Sequence, residues 1–345
     1  MRDFHGKVVV VTGAAGGLGR ALCLRFAAAG SRIMAMDRDA AALTGLMAEL
    51  RAGGTTAVAE VCDVSEEEDC RRAIAGATQA FGGIDVLVNN AGITHRSAFV
   101  RTQPEVIRRV MAVNFFGALH CTHAVLPALV ARRGMIIVIS SVAGFAPLIA
   151  RTGYAASKHA LHGFFESLRT EVEPLGLKVL LVCPSFIETG IEKNALDGDG
   201  NLARHPQSIV GTRATPDAMA GKIHAAAARE RRLLLPDAVS RLSWWLGSVN
   251  SFCVFMTSGC HVARPQPSRP SGSSHRTSSI AIHVPDPLRC PVKASHQSPH
   301  RTPGDIRSLP VRARQNFSCS ARTVPKCATL NSDLILRRRF SRSCF

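Results

Sequence analysis

Tyr154 and Lys158 stand four residues apart in Tyr-Ala-Ala-Ser-Lys, a spacing that puts a phenol and an ammonium on one face of a helix. A lysine charge beside a tyrosine favours the phenolate and draws its pKa from about 10 towards the range of a working general acid/base. Such a pair could exchange a proton with an alcohol or carbonyl oxygen. Taken alone it is also what the surface of many helices carries.

A second candidate lies near the N-terminus, where a β-rich run passes directly into Thr12-Gly-Ala-Ala-Gly-Gly-Leu-Gly19 and then into a helical pattern. Gly13, Gly17 and Gly19 let the backbone turn tightly and approach a pyrophosphate, whose charge the amides of the helix N-terminus receive, with Leu18 between them in the first turn. Asp37 ends the next strand-like run, eighteen residues beyond Gly19. A carboxylate there accepts from two ribose hydroxyls and repels a 2′-phosphate, which favours NAD over NADP. Arg38 beside it could pair with a 2′-phosphate and argues the other way.

These residues need elements to hold them. Apolar runs recur at 7–12, 32–37, 56–64, 84–89, 135–140 and 177–182, with a short one at 232–236. They are mostly apolar rather than alternating, as strands buried on both faces of a parallel sheet are. Between them, segments 18–29, 40–52, 66–81, 104–131, 154–173 and 216–230 carry helical spacing. Repeated strand–helix units imply right-handed crossovers and a doubly wound α/β fold over residues 1–260.

From 261 to 345 the composition changes. That stretch holds ten of the eighteen prolines and fourteen serines, and fifteen Lys and Arg against three Asp and Glu, so it carries most of the net charge of +17. It cannot bury enough apolar surface to offset chain entropy, and the expectation is a disordered basic tail. An abrupt change of this kind is also what an out-of-frame or mis-joined C-terminus produces. The alternative function that this tail suggests is a non-enzymatic one, an NAD-sensing or nucleic-acid-associated protein with salt-sensitive phosphate contacts.

Eleven cysteines without a recurring CxxC spacing, and His120, His123, His159 and His162 without a paired carboxylate, predict no metal site. No apolar signal segment precedes the first strand, so the expected setting is cytoplasmic, with free thiols. Leu242 to Gly259 has no charge and holds both tryptophans, Trp244 and Trp245. It is too polar for a spanning helix but suited to peripheral contact with a bilayer, the bland reading being packing on the protein itself.

Further motifs fall in line with the first two: Asn89-Asn-Ala-Gly92 after the fourth strand, Asn114 in a long helix, and Ser140-Ser-Val-Ala-Gly144 after the fifth. Together with Thr12–Gly19 and Tyr154–Lys158, they resemble the short-chain dehydrogenase/reductase family in order and separation, over residues 6 to about 190. The resemblance implies a Rossmann-like domain with strand order 3-2-1-4-5-6-7 and a tetrad of Asn, Ser, Tyr and Lys. The family's serine lies thirteen before its tyrosine, which selects Ser141.

Carried over, Tyr154 exchanges a proton with the substrate oxygen and Ser141 hydrogen-bonds it. Lys158 holds the nicotinamide ribose and lowers the tyrosine pKa, and Asn114 positions a water on Lys158. The resemblance also assigns Asp63 and Val64 to the adenine, Asn90, Ala91 and Gly92 to the wall behind the adenosine ribose, and Thr189 to the carboxamide. Ser185 stands where the family usually has glycine.

The reaction so implied interconverts a secondary alcohol and a ketone. The helix 155–171 resembles the branch with hydroxysteroid and retinoid-type dehydrogenases, and the segment 187–212 has apolar residues and no arginine cluster. A lipophilic substrate and a homodimer or homotetramer are expected.

Overall fold

The computed structural model describes residues 1–204 and 213–248, all within one compact unit, Met1–Pro267. The expected tail 261–345 lies outside the described residues. Seven strands, β1 (Val8–Thr12), β2 (Arg32–Asp37), β3 (Ala57–Val61), β4 (Val86–Asn89), β5 (Met135–Ile139), β6 (Lys178–Val182) and β7 (Leu233–Leu234), form one sheet in the order 3-2-1-4-5-6-7. All neighbours are parallel, with Val9 opposite Val86 and Val11 opposite Val88 at the central pair.

The helices are α1 (Gly17–Ala27), α2 (Ala40–Ala52), α3 (Glu67–Phe81), α4 (Pro104–Met111), α5 (Gly117–Ala131), α6 (Thr152–Val172), α7 (Pro216–Ala228) and α8 (Ala238–Ser248). Strand side chains alternate between two cores because successive Cβ atoms point to opposite faces. Val9, Val11, Ile33 and Ala35 meet α1, α2 and α7, while Val8, Val10, Met34 and Met36 meet α3, α5 and α6. That double burial is why the strands read as unbroken apolar runs.

The elements follow the expected order, with informative departures. The third strand stops at Val61, so that Cys62–Val64 leave the sheet and run along the cavity described below. The expected 104–131 helix is two helices joined by a π-turn, Ala112–Phe116. The wider turn carries Asn114, whose buried amide both donates to and accepts from the backbone of Ile93. Single π-turns are common at functional sites.

The rod from Pro104 to Ala131 is, among the described residues, the one helical stretch long and apolar enough to cross a bilayer. Its Val110, Ala118, Cys121, Val125 and Leu129 are buried in the protein, so a core helix meets the same test. Leu242–Ser248, the described part of the uncharged segment, forms the second half of α8. Trp244 stacks edge-on against Phe145 at 5.1 Å, while Leu242 and Trp245 are exposed. Residues 249–259 lie outside the described residues.

Phe26 of α1 is fully buried, edge-on to Phe4 at 5.1 Å and packed on His224 at 5.2 Å, and so closes the core beneath α7. Truncating a buried phenylalanine removes its transfer energy and leaves a cavity. Phe26→Ala is expected to lower unfolding free energy by about 3–5 kcal/mol, measured by urea denaturation.

Candidate active site

The strand order reverses between β1 and β4, and the crevice at such a point is where doubly wound sheets place ligands. A continuous cavity of about 400 Å³ runs along these strand ends. One end is walled by Gly13, Gly16, Gly17, Leu18, Asp37, Arg38, Asp63 and Val64. The other is walled by Ser141, Tyr154, Lys158, Ile187 and Thr189. Asn90, Ala91 and Gly92 lie along the same wall.

Thr12 and Gly19 do not line it; they build it from behind. The Thr12 hydroxyl accepts from the amides of Asn90 and Ala91, each at 3.0 Å, and Asn90 Nδ2 returns bonds to the carbonyls of Thr12 and Gly13 at 2.9 and 3.0 Å. A Cβ on Gly19 would lie 1.9 Å from the carbonyl oxygen of Gly13, so only glycine lets α1 start against the turn. Gly17, with φ +24°, leaves 2.8 Å between a hypothetical Cβ and Cβ of Thr189, and thus brings the two ends of the cavity together.

The residues fit a dinucleotide. Gly16 caps α1 with no side-chain hydrogen bond, leaving first-turn amides for a pyrophosphate. Asp37 accepts from the amides of Ala15 at 3.0 Å and Asp39 at 3.1 Å, which fixes its carboxylate at the wall. Arg38 beside it is exposed. Asp63 accepts from the amide and hydroxyl of Ser65 at 2.9 and 2.7 Å.

At the other end, Ser141 Oγ accepts from the amide of Ala143 at 3.1 Å, leaving the hydroxyl proton to be donated elsewhere. Tyr154 lies in the first turn of α6, and burial pushes its phenol above the usual range, against a hydrogen bond from Ser141 and the positive field of Arg151. Lys158 is buried and donates to the carbonyl of Ile139 at 2.9 Å, with Nζ 5.7 Å from the centre of the Tyr154 ring. Burial lowers its pKa to about 8, Cys183 acting weakly the other way.

The Lys158 ammonium is turned to a carbonyl and lies over the ring face, and the Arg151 guanidinium adds a positive field that favours the phenolate. Asn114 is tied to the tetrad through Ser157, whose Oγ accepts from Asn114 Nδ2 at 2.9 Å and donates to the carbonyl of Tyr154 at 2.7 Å. Ser140 instead bonds the ring of His162 at 3.0 Å. Burial drives the His162 pKa down to about 4, so a neutral ring stands behind the lysine.

Ser185 is accommodated without strain: its amide donates to Asp237 Oδ2 at 3.1 Å, and it is not among the residues with positive φ. Among the described residues no cluster of three His, Cys, Asp or Glu is placed to hold a metal ion, and the five described cysteines are free.

Sequence reasoning missed several wall residues. Cys62 lies beside Asp63, and Ile93, Val113, Leu148, Ile149 and Ile187 make much of the rest apolar. Arg109 and Arg151 add charge from outside the 187–212 segment in which arginines were sought. The one sequence signal for Arg151 is its position, a lone basic residue three before the tyrosine in a stretch, 134–153, that has no other Lys or Arg.

Tyr154 is the sole tyrosine of the chain, so its ionisation is readable from tyrosinate absorbance. Desolvation disfavours the anion, and the midpoint is expected above that of free tyrosine, about 10. Arg151→Leu removes a favourable potential and is expected to move it further up, whereas Lys158→Met leaves it nearer its starting value. The reverse order would restore Lys158 as the controlling charge.

A model of the short chain dehydrogenase family matches residues 7–199. Curated relatives include dehydrogenase/reductase SDR family member 7B of Bos taurus, 40% identical over 247 residues, 69% of this chain and 76% of the relative. Another is dehydrogenase/reductase SDR family protein 7-like of Anopheles gambiae, 36% identical over 71% of this chain and 80% of the relative. A short chain dehydrogenase/reductase from Burkholderia phymatum in complex with NAD matches with TM-score 0.62 and 27% identity, covering 70% of this chain and 94% of that one. A short-chain dehydrogenase from Streptomyces avermitilis matches with TM-score 0.62 and 32% identity, over 71% and 94%. An alcohol dehydrogenase from Thermococcus sibiricus complexed with 5-hydroxy-NADP, 22% identical with TM-score 0.57 over 65% and 91%, shares the fold.

Proposed function

The chain belongs to the short-chain dehydrogenase family, and from that premise we propose that it is an NAD-dependent oxidoreductase interconverting a lipophilic secondary alcohol and its ketone. The observation that supports this most is one cavity lined at one end by the glycine loop and Asp37 and at the other by Ser141, Tyr154 and Lys158. A nicotinamide cofactor, when bound, supplies or accepts the hydride.

In the reductive direction Tyr154 Oη gives its proton to the substrate oxygen as negative charge develops there, and Ser141 donates a hydrogen bond to the same atom. A buried phenol holds that proton at neutral pH, which suits the acid role; Ser141 and Arg151 keep its release within reach in the oxidative direction. Lys158 orients the ribose with a charge held by the Ile139 carbonyl. Ser157 and Asn114 fix the start of α6 against the Ile93 backbone, so that the phenol keeps its place.

The reading of NAD is supported by the Asp37 carboxylate, held at the cavity wall by the amides of Ala15 and Asp39; a carboxylate there would accept from ribose hydroxyls and repel a 2′-phosphate. The adjoining faces of α5 and α6, with Leu119, Leu126 and Phe164 along a groove, suit the expected subunit contact. Cytoplasmic placement, with peripheral membrane contact through Leu242 and Trp245, completes the reading. The basic-tail alternative rests on residues outside the described part of the chain and has no other support.

Tyr154→Phe is expected to lower kcat by about 10²–10⁴-fold while leaving NADH affinity within about twofold of the parent; full activity would refute the assignment. Titration followed by cofactor fluorescence is expected to show tighter binding of NADH than of NADPH, with Asp37→Ser narrowing the difference. Preference for NADPH in the parent would mean that Arg38 outweighs Asp37.

A further inference from the structure

Arg151 is the residue immediately before α6, three positions ahead of Tyr154, and it lines the cavity. A guanidinium offers five N–H donors. Among the described residues its one hydrogen bond runs from Nη1 to Thr94 Oγ1 at 2.7 Å, and it forms no ion pair. Glu192, the acid whose field reaches it, already holds Arg213 at 2.7 Å. Arg96 adds a repelling charge nearby. The eight residues 205–212, His-Pro-Gln-Ser-Ile-Val-Gly-Thr, contain no carboxylate that could serve.

A largely desolvated cation without a counter-ion is costly. Holding Thr94 does not explain it, since one bond to a hydroxyl needs neither a charge nor a fork of donors. Leu148 and Ile149 just before it and Ile187 and Ile191 also line the cavity wall, so a partner arriving there would meet apolar side chains beside the guanidinium. A planar guanidinium matches carboxylate and phosphate oxygens in pairs.

We propose that the substrate carries an oxyanion, a carboxylate or a phosphate, which Arg151 binds while Tyr154 addresses the carbonyl of the same molecule. This rests on the oxidoreductase reading of the cavity and narrows its lipophilic substrate to an acidic amphiphile. Arg151 and Tyr154 stand three residues apart at the start of α6 and both line the cavity, so both can reach one ligand. Arg109, also on the wall, reinforces the positive potential.

The test is calorimetric binding to the full-length protein with saturating NADH, or NADPH if that binds better. The probes are levulinate, para-acetylbenzoate and a long-chain oxo-carboxylate, each beside its methyl ester. At least one acid is expected to bind about tenfold or more tighter than its ester, about 1.4 kcal/mol. Arg151→Leu is expected to bring that pair within about twofold, and Arg151→Lys to retain part of the preference. Thr94→Val, which removes the internal bond but not the charge, is expected to keep it and serves if Arg151→Leu does not fold.

Esters that bind as tightly as acids in every pair, or an acid preference that survives in Arg151→Leu, would overturn the inference. Cofactor oxidation is followed separately. Arg151-dependent acid binding without turnover would sink the reaction assigned above and leave the oxyanion site standing. Turnover of esters and acids alike, indifferent to Arg151, would do the opposite.

Discussion

The hydrogen bonds that tie the end of β1 to the end of β4 are the constraint on which the site depends. Parallel strands diverge once their ladder ends, and at the point where the strand order reverses nothing in the backbone pattern keeps the two connections a fixed distance apart. Here the Thr12 hydroxyl takes two amides of the β4 turn, and the Asn90 amide takes two carbonyls of the β1 turn. The crevice is thus a braced opening. Gly13 and Gly19 allow the bracing, since a Cβ on either would meet the opposite turn or the glycine loop itself. Thr12 stands behind the wall and Asn90 forms part of it, the place the resemblance assigns to Asn90.

Desolvation sets the chemistry at the other end. Tyr154, Lys158 and Arg151 are all shifted towards their neutral forms by burial, and what distinguishes them is how each is compensated. The tyrosine has Ser141, the lysine has the Ile139 carbonyl, and the arginine has a single hydroxyl. The imidazole of His162, held neutral behind Lys158, adds no further positive charge to a region already poor in anions. In a cavity of this kind a negative ligand group, or charge developing on a substrate oxygen, meets fixed donors at short range rather than reorganising water.

Most of this architecture was legible because its determinants are local in sequence. A strand running into glycines, an acid at the next strand end, and a tyrosine four before a lysine each occupy a few consecutive residues, and unbroken apolar runs announced the parallel sheet. Properties that depend on distant segments meeting were not legible. The π-turn at Ala112–Phe116 follows from Asn114 reaching the Ile93 backbone, a contact no helical period foretells. Arg151 was overlooked because its meaning comes from Thr94 and Glu192, brought to it from two other loops. The third strand ends early for the same reason, since Cys62–Val64 continue its run in the sequence yet leave the sheet edge to wall the cavity.

The order of the motifs along the chain also bears on what the C-terminal change of composition can affect. Every residue assigned to the cofactor or to proton transfer precedes residue 190, and β1, β4 and β5 are each paired on both sides by strands no later than β6. Of what comes later, α7 packs on α1 through Phe26 and His224, on the side of the glycine loop, whereas α8 and the residues leading into it act on the substrate side. Asp237 holds the Ser185 amide, and Trp244 of α8 packs on Phe145, which in turn lies 6.0 Å from the His162 ring. The last described helix is therefore coupled to the wall behind Ser140 and not to the glycine loop. On that ground, a disturbance entering through α8 would reach substrate recognition through Phe145 and Ser185 before it reached nucleotide binding.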